Sequence, residues 1–196
     1  VRMLYRVLLF MLVGGLGWSG CTSDDGSDPS KAPRSNVPAL QGAEGAGELS
    51  TEVDPTPVPD LTVQTLDGTS IALDEQPDRV LLINFWATWC PPCRKEIPDL
   101  IELQKAMGDD GLMVIGVSLD QEGASTVQPF VEEHNINYPI VVDDAKAVES
   151  ALGPIYALPT TLVVGPDGMI TRRITGIFPV DAMEEALKDM LSNAAP

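Results

Sequence analysis

The stretch Asn84-Phe85-Trp86-Ala87-Thr88-Trp89-Cys90-Pro91-Pro92-Cys93 decides the fold of this 196-residue chain. It begins inside an apolar run, residues 80–85, whose Val-Leu-Leu-Ile start has no polar alternation and predicts a buried parallel strand. A helical pattern follows from Cys93 to about Met107. Residues three apart share a helix face, so the two sulfurs can close a small ring. The order strand, Cys-x-x-Cys and helix predicts a redox-active pair.

The position of the two cysteines favours redox chemistry over metal binding. A helix N-terminus offers unpaired N–H groups and a positive dipole end, which both stabilise a thiolate at Cys90. The alternative is half of a zinc site, which needs a second pair of Cys or His ligands. The chain has one further cysteine, Cys21, and one histidine, His134. We therefore predict dithiol chemistry with no metal and no cofactor.

The Trp-Ala-Thr-Trp-Cys-Pro-Pro-Cys string resembles the active site of the thioredoxin superfamily. Together with Glu96, Pro98 and the Leu-Pro-Thr-Thr segment at 158–161, it is similar to the membrane-tethered TlpA/ResA-like thiol-disulfide oxidoreductases. The likeness covers roughly residues 55–192. It implies an α/β thioredoxin fold and an enzyme that exchanges disulfides with other proteins.

The remaining sequence patterns predict a mixed central sheet with helices on both faces and an N-terminal β-hairpin. Predicted strands are residues 61–63, 70–73, 80–85, 112–117, 138–142, 160–164 and 169–175, and predicted helices are 94–107, 126–135, 145–152 and 181–192. Asp181 is the expected cap of the last helix, because Glu184 follows three residues later. We place the thioredoxin-like domain at residues 58–196.

The chemistry of the pair follows from its position and its intervening dipeptide. Cys90, expected at the exposed mouth of the helix, is the predicted nucleophile, and the more buried Cys93 resolves the mixed disulfide. Pro91 and Pro92 have no N–H to donate to the sulfur, and the dipeptide contains no cation. A disulfide is a strong oxidant when its reduced, thiolate form is stabilised. This dipeptide offers the thiolate no such stabilisation, so it favours a reductase. A dithiol oxidase is the alternative.

Glu96 lies on the same predicted helix face as Cys93. Asn84 occupies the place where thioredoxins carry a buried Asp that accepts a proton, and Asn cannot titrate. The resemblance to ResA-like proteins implies that Glu96 accepts the proton of Cys93 instead. We therefore count Glu96 with the catalytic residues.

The resemblance also implies a substrate-binding surface. The Leu158–Pro159 bond corresponds to the family's cis-proline loop, which faces the first cysteine, so the backbone of Leu158 can pair with an extended substrate segment. Trp89 is predicted to form part of the apolar docking surface, together with Pro91 and Pro92. Trp86 is predicted in the core. His134 is given no catalytic role.

The first residues predict export and membrane attachment. Arg2 and Arg6 precede an apolar segment at 7–13 and a small-residue stretch that ends at Cys21. Ser19-Gly20-Cys21 resembles the bacterial lipobox, in which the cysteine is lipidated, although Trp18 stands where Leu is preferred. An uncleaved anchor and a plain secretory signal are alternatives, and all three place the domain outside the cytoplasm. We predict a signal peptide at 1–20 and a lipidated, disordered tether at 21–57.

The net charge of −17 argues against nucleic acid as a partner. We predict an extracytoplasmic, membrane-anchored lipoprotein and a monomer. Its partners would be protein disulfides and a membrane protein that donates electrons, and the family includes proteins of cytochrome c maturation. A peroxiredoxin-like peroxidase is a disfavoured alternative, because such an enzyme needs Thr or Ser three residues before the reactive cysteine and Pro seven before it. This chain has Ala87 and Ile83 at those positions.

Overall fold

The computed structural model describes residues 50–143 and 145–194. The strands are β1 (Ser50–Pro57), β2 (Thr62–Gln64), β3 (Ser70–Ala72), β4 (Val80–Trp86), β5 (Leu112–Ser118), β6 (Ile140–Val142), β7 (Thr160–Val164) and β8 (Met169–Thr175). The helices are α1 (Pro91–Met107), α2 (Ala124–His134), α3 (Ala147–Leu152) and α4 (Val180–Ala194). None of the described helices is both long and apolar enough to span a bilayer.

The sheet has six strands in the order β1-β8-β7-β4-β5-β6, and β2 and β3 form a separate hairpin. Strand β4 pairs with β5 in parallel and with β7 in antiparallel orientation, and β5 pairs with β6 in parallel. Strands β7, β8 and β1 are joined by antiparallel pairs. The predicted mixed sheet and the predicted hairpin are confirmed.

The central strand β4 separates two hydrophobic cores. All seven of its residues are buried, because a strand covered on both faces has no polar side. Leu82 and Trp86 pack in the core formed with helices α1, α2 and α4, whereas Leu81 and Phe85 pack in the core formed with α3 and the hairpin. Helices therefore cover both faces of the sheet, and the predicted thioredoxin fold is confirmed.

One edge of the sheet collects the segments that form the site. Parallel strands β4 and β5 end at the same edge, with Trp86 opposite Ser118. Strand β7 runs the other way and begins there, with Thr160 opposite Phe85. Residues 87–90, 119–120 and 157–159 consequently meet at the carboxyl ends of the parallel strands, where open α/β sheets bind their ligands.

The predicted domain boundary at residue 58 is wrong. Residues 50–57, which we assigned to the disordered tether, form strand β1 and pair antiparallel with β8. Their composition gives no strand signal, since Asp54 to Pro57 are polar or proline and are exposed. Thr56 and Pro57 are paired with Ile170 and Met169 of β8. An edge strand also tolerates Pro55 and Pro57, which lack an N–H. The predicted signal peptide, Cys21 and the rest of the tether lie outside the described residues.

All four helix starts differ from the prediction by one to three residues, and the starts of α1 and α4 have a clear physical cause. Helix α1 begins at Pro91 rather than at Arg94, since proline fits the first positions of a helix, where the N–H has no partner. Helix α4 begins at Val180. Asp181 therefore lies in the first turn, where its charge favours the positive end of the helix dipole, and is not the cap.

Candidate active site

The two cysteines form a disulfide at the N-terminus of α1. Cys90 caps the helix and is bonded to Cys93, with 5.3 Å between their Cα atoms. Pro91 and Pro92 have no N–H, so the first amide of the helix that can donate is that of Cys93. It donates to Sγ of Cys90 at 3.4 Å. The helix thus presents its one available N-terminal donor and its positive dipole end to the sulfur of Cys90.

Cys90 is less accessible than we expected. With the disulfide closed, 3% of the residue is exposed, and Cys93 is fully buried. In the closed ring the Cys90 sulfur accepts the Cys93 N–H, and the half-buried Leu158 packs against the core cluster that contains Cys90. The predicted exposed position of Cys90 is therefore wrong for the oxidised state.

Glu96 is a buried carboxylate one turn after Cys93. Its exposed fraction is 0%. Asn84 Nδ2 donates to one carboxylate oxygen at 2.8 Å, and the backbone N–H of Phe178 donates to the other at 2.9 Å. The Asn84 amide also donates to Thr161 Oγ1 at 3.0 Å, which connects Glu96 to strand β7. The structure thus places Glu96 and Cys93 on the same buried face of α1.

Burial raises the pKa of Glu96 from 4.5 to about 7; the hydrogen bonds from Phe178 and Asn84 lower it, and the charge of Asp99 raises it further. Ionising this group therefore costs about 3 kcal/mol more in the folded protein than in water. Burial also raises the pKa of Tyr138, with a further contribution from the charge of Glu96. A carboxyl group with a pKa near neutrality is suited to accept and return a proton at physiological pH.

The loop before β7 has the backbone conformation that the resemblance implied. The Leu158–Pro159 peptide bond is cis, which confirms the prediction. The Pro159 carbonyl accepts from the Gly176 N–H at 2.8 Å, which joins the loop to the end of β8. Within the part of the chain that the structure describes, neither the N–H nor the C=O of Leu158 takes part in a backbone hydrogen bond. Both groups are therefore free to pair with an extended segment.

Two aromatic side chains in the loops at this edge of the sheet are exposed. Of the described large hydrophobic residues, Trp89 and Tyr156 are strongly exposed, at 64% and 92%. Trp89 directly precedes Cys90, and Tyr156 lies two residues before Leu158. Tyr156 was missed in the sequence because a single aromatic residue in a loop gives no pattern. The structure thus adds a second exposed ring, in the loop that leads to the cis peptide bond at Pro159.

The other two residues weighed from the sequence behave as structural groups. Trp86 is buried, as predicted, and its ring centroid lies 5.3 Å from that of Phe130. His134 ends helix α2, where its Nδ1 lies 3.0 Å from the Phe130 carbonyl and its ring stacks on the Phe130 ring. No three His, Cys, Asp or Glu side chains converge to hold a metal ion in residues 50–143 and 145–194.

A second buried carboxylate, Asp120, was missed in the sequence. It accepts from the backbone N–H of Thr88 at 2.9 Å, from the Thr88 hydroxyl at 2.6 Å and from the Ser118 hydroxyl at 2.8 Å. Hydrogen bonds to a charged group contribute about 1.5–3 kcal/mol each. The signal was available: Ser-Leu-Asp follows the apolar run of β5, and the ends of parallel strands meet at one edge.

Comparison with known proteins identifies the family. Residues 55–173, well over half of the chain, match the AhpC/TSA family. The chain belongs to the AhpC/TSA family. The matched segment of this AhpC/TSA protein runs from β1 to β8 and contains both cysteines, Glu96 and the cis-proline loop.

Two named relatives of this AhpC/TSA protein are a thiol-disulfide oxidoreductase and a thioredoxin-like protein. The chain is 35% identical over 126 residues to the thiol-disulfide oxidoreductase ResA of Halalkalibacterium halodurans, an alignment that covers 64% of this chain and 70% of the relative. It is 28% identical over 188 residues to the thioredoxin-like protein YneN of Bacillus subtilis, covering 95% of this chain and 96% of the relative. This AhpC/TSA family member is a thiol-disulfide oxidoreductase.

A solved structure gives the same result for the fold. The crystal structure of a thiol:disulfide interchange protein of the thioredoxin family from Chlorobium tepidum superposes with a TM-score of 0.63 at 28% identity. The superposition covers 72% of this AhpC/TSA chain and 99% of the other chain. The likeness therefore extends over a whole thioredoxin-like domain.

Proposed function

We propose that this protein reduces disulfides of exported proteins by dithiol exchange at Cys90 and Cys93. The observation that carries the proposal is the closed disulfide at the start of α1 with the buried carboxylate of Glu96 one turn further on. The closed pair is the form that a reductive cycle would leave, and the proposed direction rests on the Pro91-Pro92 dipeptide, which contains no cation. The proposed roles are nucleophile for Cys90, resolving thiol for Cys93 and proton acceptor for Glu96.

The proposed cycle begins with both thiols reduced. The Cys90 thiolate attacks one sulfur of the substrate disulfide, and the other substrate sulfur leaves and takes up a proton. Glu96 then takes the proton of the Cys93 thiol, and Cys93 attacks the Cys90 sulfur. The Cys90–Cys93 disulfide forms, and the second substrate sulfur leaves as a thiolate that is protonated. The substrate gains two electrons and two protons, and the Glu96 proton is returned to solvent.

We propose that the substrate docks as an extended segment on the edge that carries the disulfide. The unpaired N–H and C=O of Leu158 provide backbone pairing beside Pro159. The exposed rings of Trp89 and Tyr156 would provide apolar contact area. Pro91 is exposed and Pro92 half-buried, so both contribute to the surface next to Cys90.

The proposed setting is the outer face of a membrane. Residues 1–20 have the pattern of an export signal, and Cys21 stands at the lipobox position. A diacylglyceryl group on Cys21, with a tether that ends before β1, would hold the domain at the membrane. There a membrane thiol protein would re-reduce the pair. The cysteines of apocytochrome c are one substrate class that suits this location.

The direction of electron flow is tested by redox titration of the Cys90–Cys93 pair against glutathione or dithiothreitol buffers. A reductase with no cation in the dipeptide is expected to have a potential near that of thioredoxin, about −270 mV. The Pro92→His variant adds a cation beside the thiolate and is expected to raise the potential. A wild-type value near the about −120 mV of a strong oxidant would show that the protein oxidises its substrates instead.

A further inference from the structure

The Asp120 carboxylate is buried at the edge of the sheet that carries the disulfide. Its exposed fraction is 0%, and none of the ion pairs among the described residues includes it. Its oxygens instead accept hydrogen bonds from Ser118 and from both donors of Thr88. A buried charge without a cation is costly unless hydrogen bonds compensate for it. The chain thus has a carboxylate at a position where a neutral residue would be easier to bury. Two of the three hydrogen bonds to this carboxylate come from Thr88.

The bonds to Asp120 hold one specific turn. The Cys90 N–H donates to the Ala87 carbonyl at 3.1 Å, so residues 87–90 form a turn between β4 and α1. Thr88 is the second residue of this turn, and Asp120 accepts from its backbone N–H and its hydroxyl. On the same side, the Leu119 N–H donates to the Trp86 carbonyl at 2.9 Å. The end of β5 therefore fixes the backbone immediately before Trp89 and Cys90.

The third residue of the same turn, Trp89, lies in solvent. With 64% of the residue exposed, Trp89 leaves a large apolar area in water, which is unfavourable by itself. A loosely held turn would let the ring fold back onto the protein. Because Thr88 is held by two bonds to one carboxylate, the backbone that enters Trp89 is fixed relative to Cys90.

We propose that Asp120 is a positioning residue that acts through Thr88 to hold Trp89 ready for a protein substrate. This inference rests on the proposed function, since it assigns to Asp120 the preorganisation of the docking surface. A preformed surface avoids the cost of ordering the turn at each encounter. The turn would therefore matter for a protein disulfide that docks on Trp89, and little for a small disulfide that reaches the sulfur without docking.

The test compares two substitutions at Thr88 in the full-length chain. Thr88→Val keeps the shape but removes the hydroxyl donor to Asp120, whereas Thr88→Ser keeps the donor. The second-order rate constant of the reduced protein is measured with insulin and with hydroxyethyl disulfide. We expect Thr88→Val to lower the insulin rate by about ten-fold and the small-disulfide rate by less than about two-fold. Thr88→Ser is expected to restore the insulin rate.

Each other outcome has a defined meaning. An unchanged insulin rate in Thr88→Val, failure of Thr88→Ser to restore it, or equal falls with both disulfides would overturn the positioning role of Asp120. If Thr88→Val does not fold, Thr88→Ala removes the same hydroxyl without a branched side chain, and the same comparison applies. Failure of the wild-type protein to reduce insulin would instead contradict the proposed function, whatever the variants do.

Discussion

Cys90→Ser is expected to lower the rate of insulin reduction by at least about a thousand-fold, because serine has no accessible anion near neutral pH to attack a disulfide. In the structure, the helix N-terminus and the Cys93 N–H both point at this sulfur. Cys93→Ser removes the resolving thiol, so the mixed disulfide on Cys90 is released only by an external thiol such as dithiothreitol. The measurement is the steady-state rate of insulin reduction with dithiothreitol as the donor, after subtraction of the uncatalysed rate.

Cys21→Ser is the matched control for Cys90→Ser. It removes the remaining cysteine of the chain, which lies outside the motif, and the purified protein should keep its full rate. Retained activity in Cys90→Ser together with loss in Cys21→Ser would place the chemistry outside the helix N-terminus and contradict the assignment.

Glu96→Gln is expected to slow release of the substrate from the mixed disulfide by about a hundred-fold, the usual range for loss of a general base. Gln has nearly the same shape, and rotation of the Asn84 amide would let it pair with Gln while the Phe178 N–H keeps an acceptor. The first attack by Cys90 does not use Glu96 and should keep its rate. Stopped-flow measurement of the two steps in a single turnover separates them.

The pH dependence of this step follows from the pKa of Glu96, which burial raises to about 7. The base is the ionised carboxylate, so the wild-type release rate should rise as the pH increases from about 6 to 8. Glu96→Gln should lose this inflection and keep only the dependence that comes from the Cys93 thiol itself. The difference between the two profiles therefore reports the titration of Glu96.

Glu102→Gln provides the matched control on the same helix. Its carboxylate is largely exposed and pairs with Lys105 on the surface of α1, where an ion pair contributes little. The release rate and its pH profile should equal those of the wild type. If Glu96→Gln behaves like Glu102→Gln, Glu96 is a structural residue and not the proton acceptor.

The parts of the fold that depend on local pattern could be predicted from the sequence. The apolar run of β4, the cysteine spacing and the Gly-Pro-Asp-Gly turn between β7 and β8 are local signals, and the predicted ranges of β7 and β8 equal the observed ones. Strand β1 could not be predicted because it is mostly polar and exposed, and its partner strand, β8, lies far away along the chain.

The site shows the same division between local and long-range features. The relation of Glu96 to Cys93 follows from helix spacing, whereas the Phe178 N–H that binds Glu96 lies 82 residues away along the chain. Likewise, Asp120 reaches Thr88 across 32 residues. Such contacts arise from the order of the strands, which the sequence indicates only in outline. The partners of the buried carboxylates therefore required the structure.

The most direct test of the central claim is to trap the exchange intermediate on Cys93→Ala in cells and identify the bond by mass spectrometry. If Cys90 attacks protein disulfides and Cys93 releases them, Cys93→Ala should accumulate adducts in which Cys90 is bonded to cysteines of exported proteins. The Cys90→Ala, Cys93→Ala double variant should show none. Equal amounts of adduct in both variants, or no adduct through Cys90, would contradict the claim.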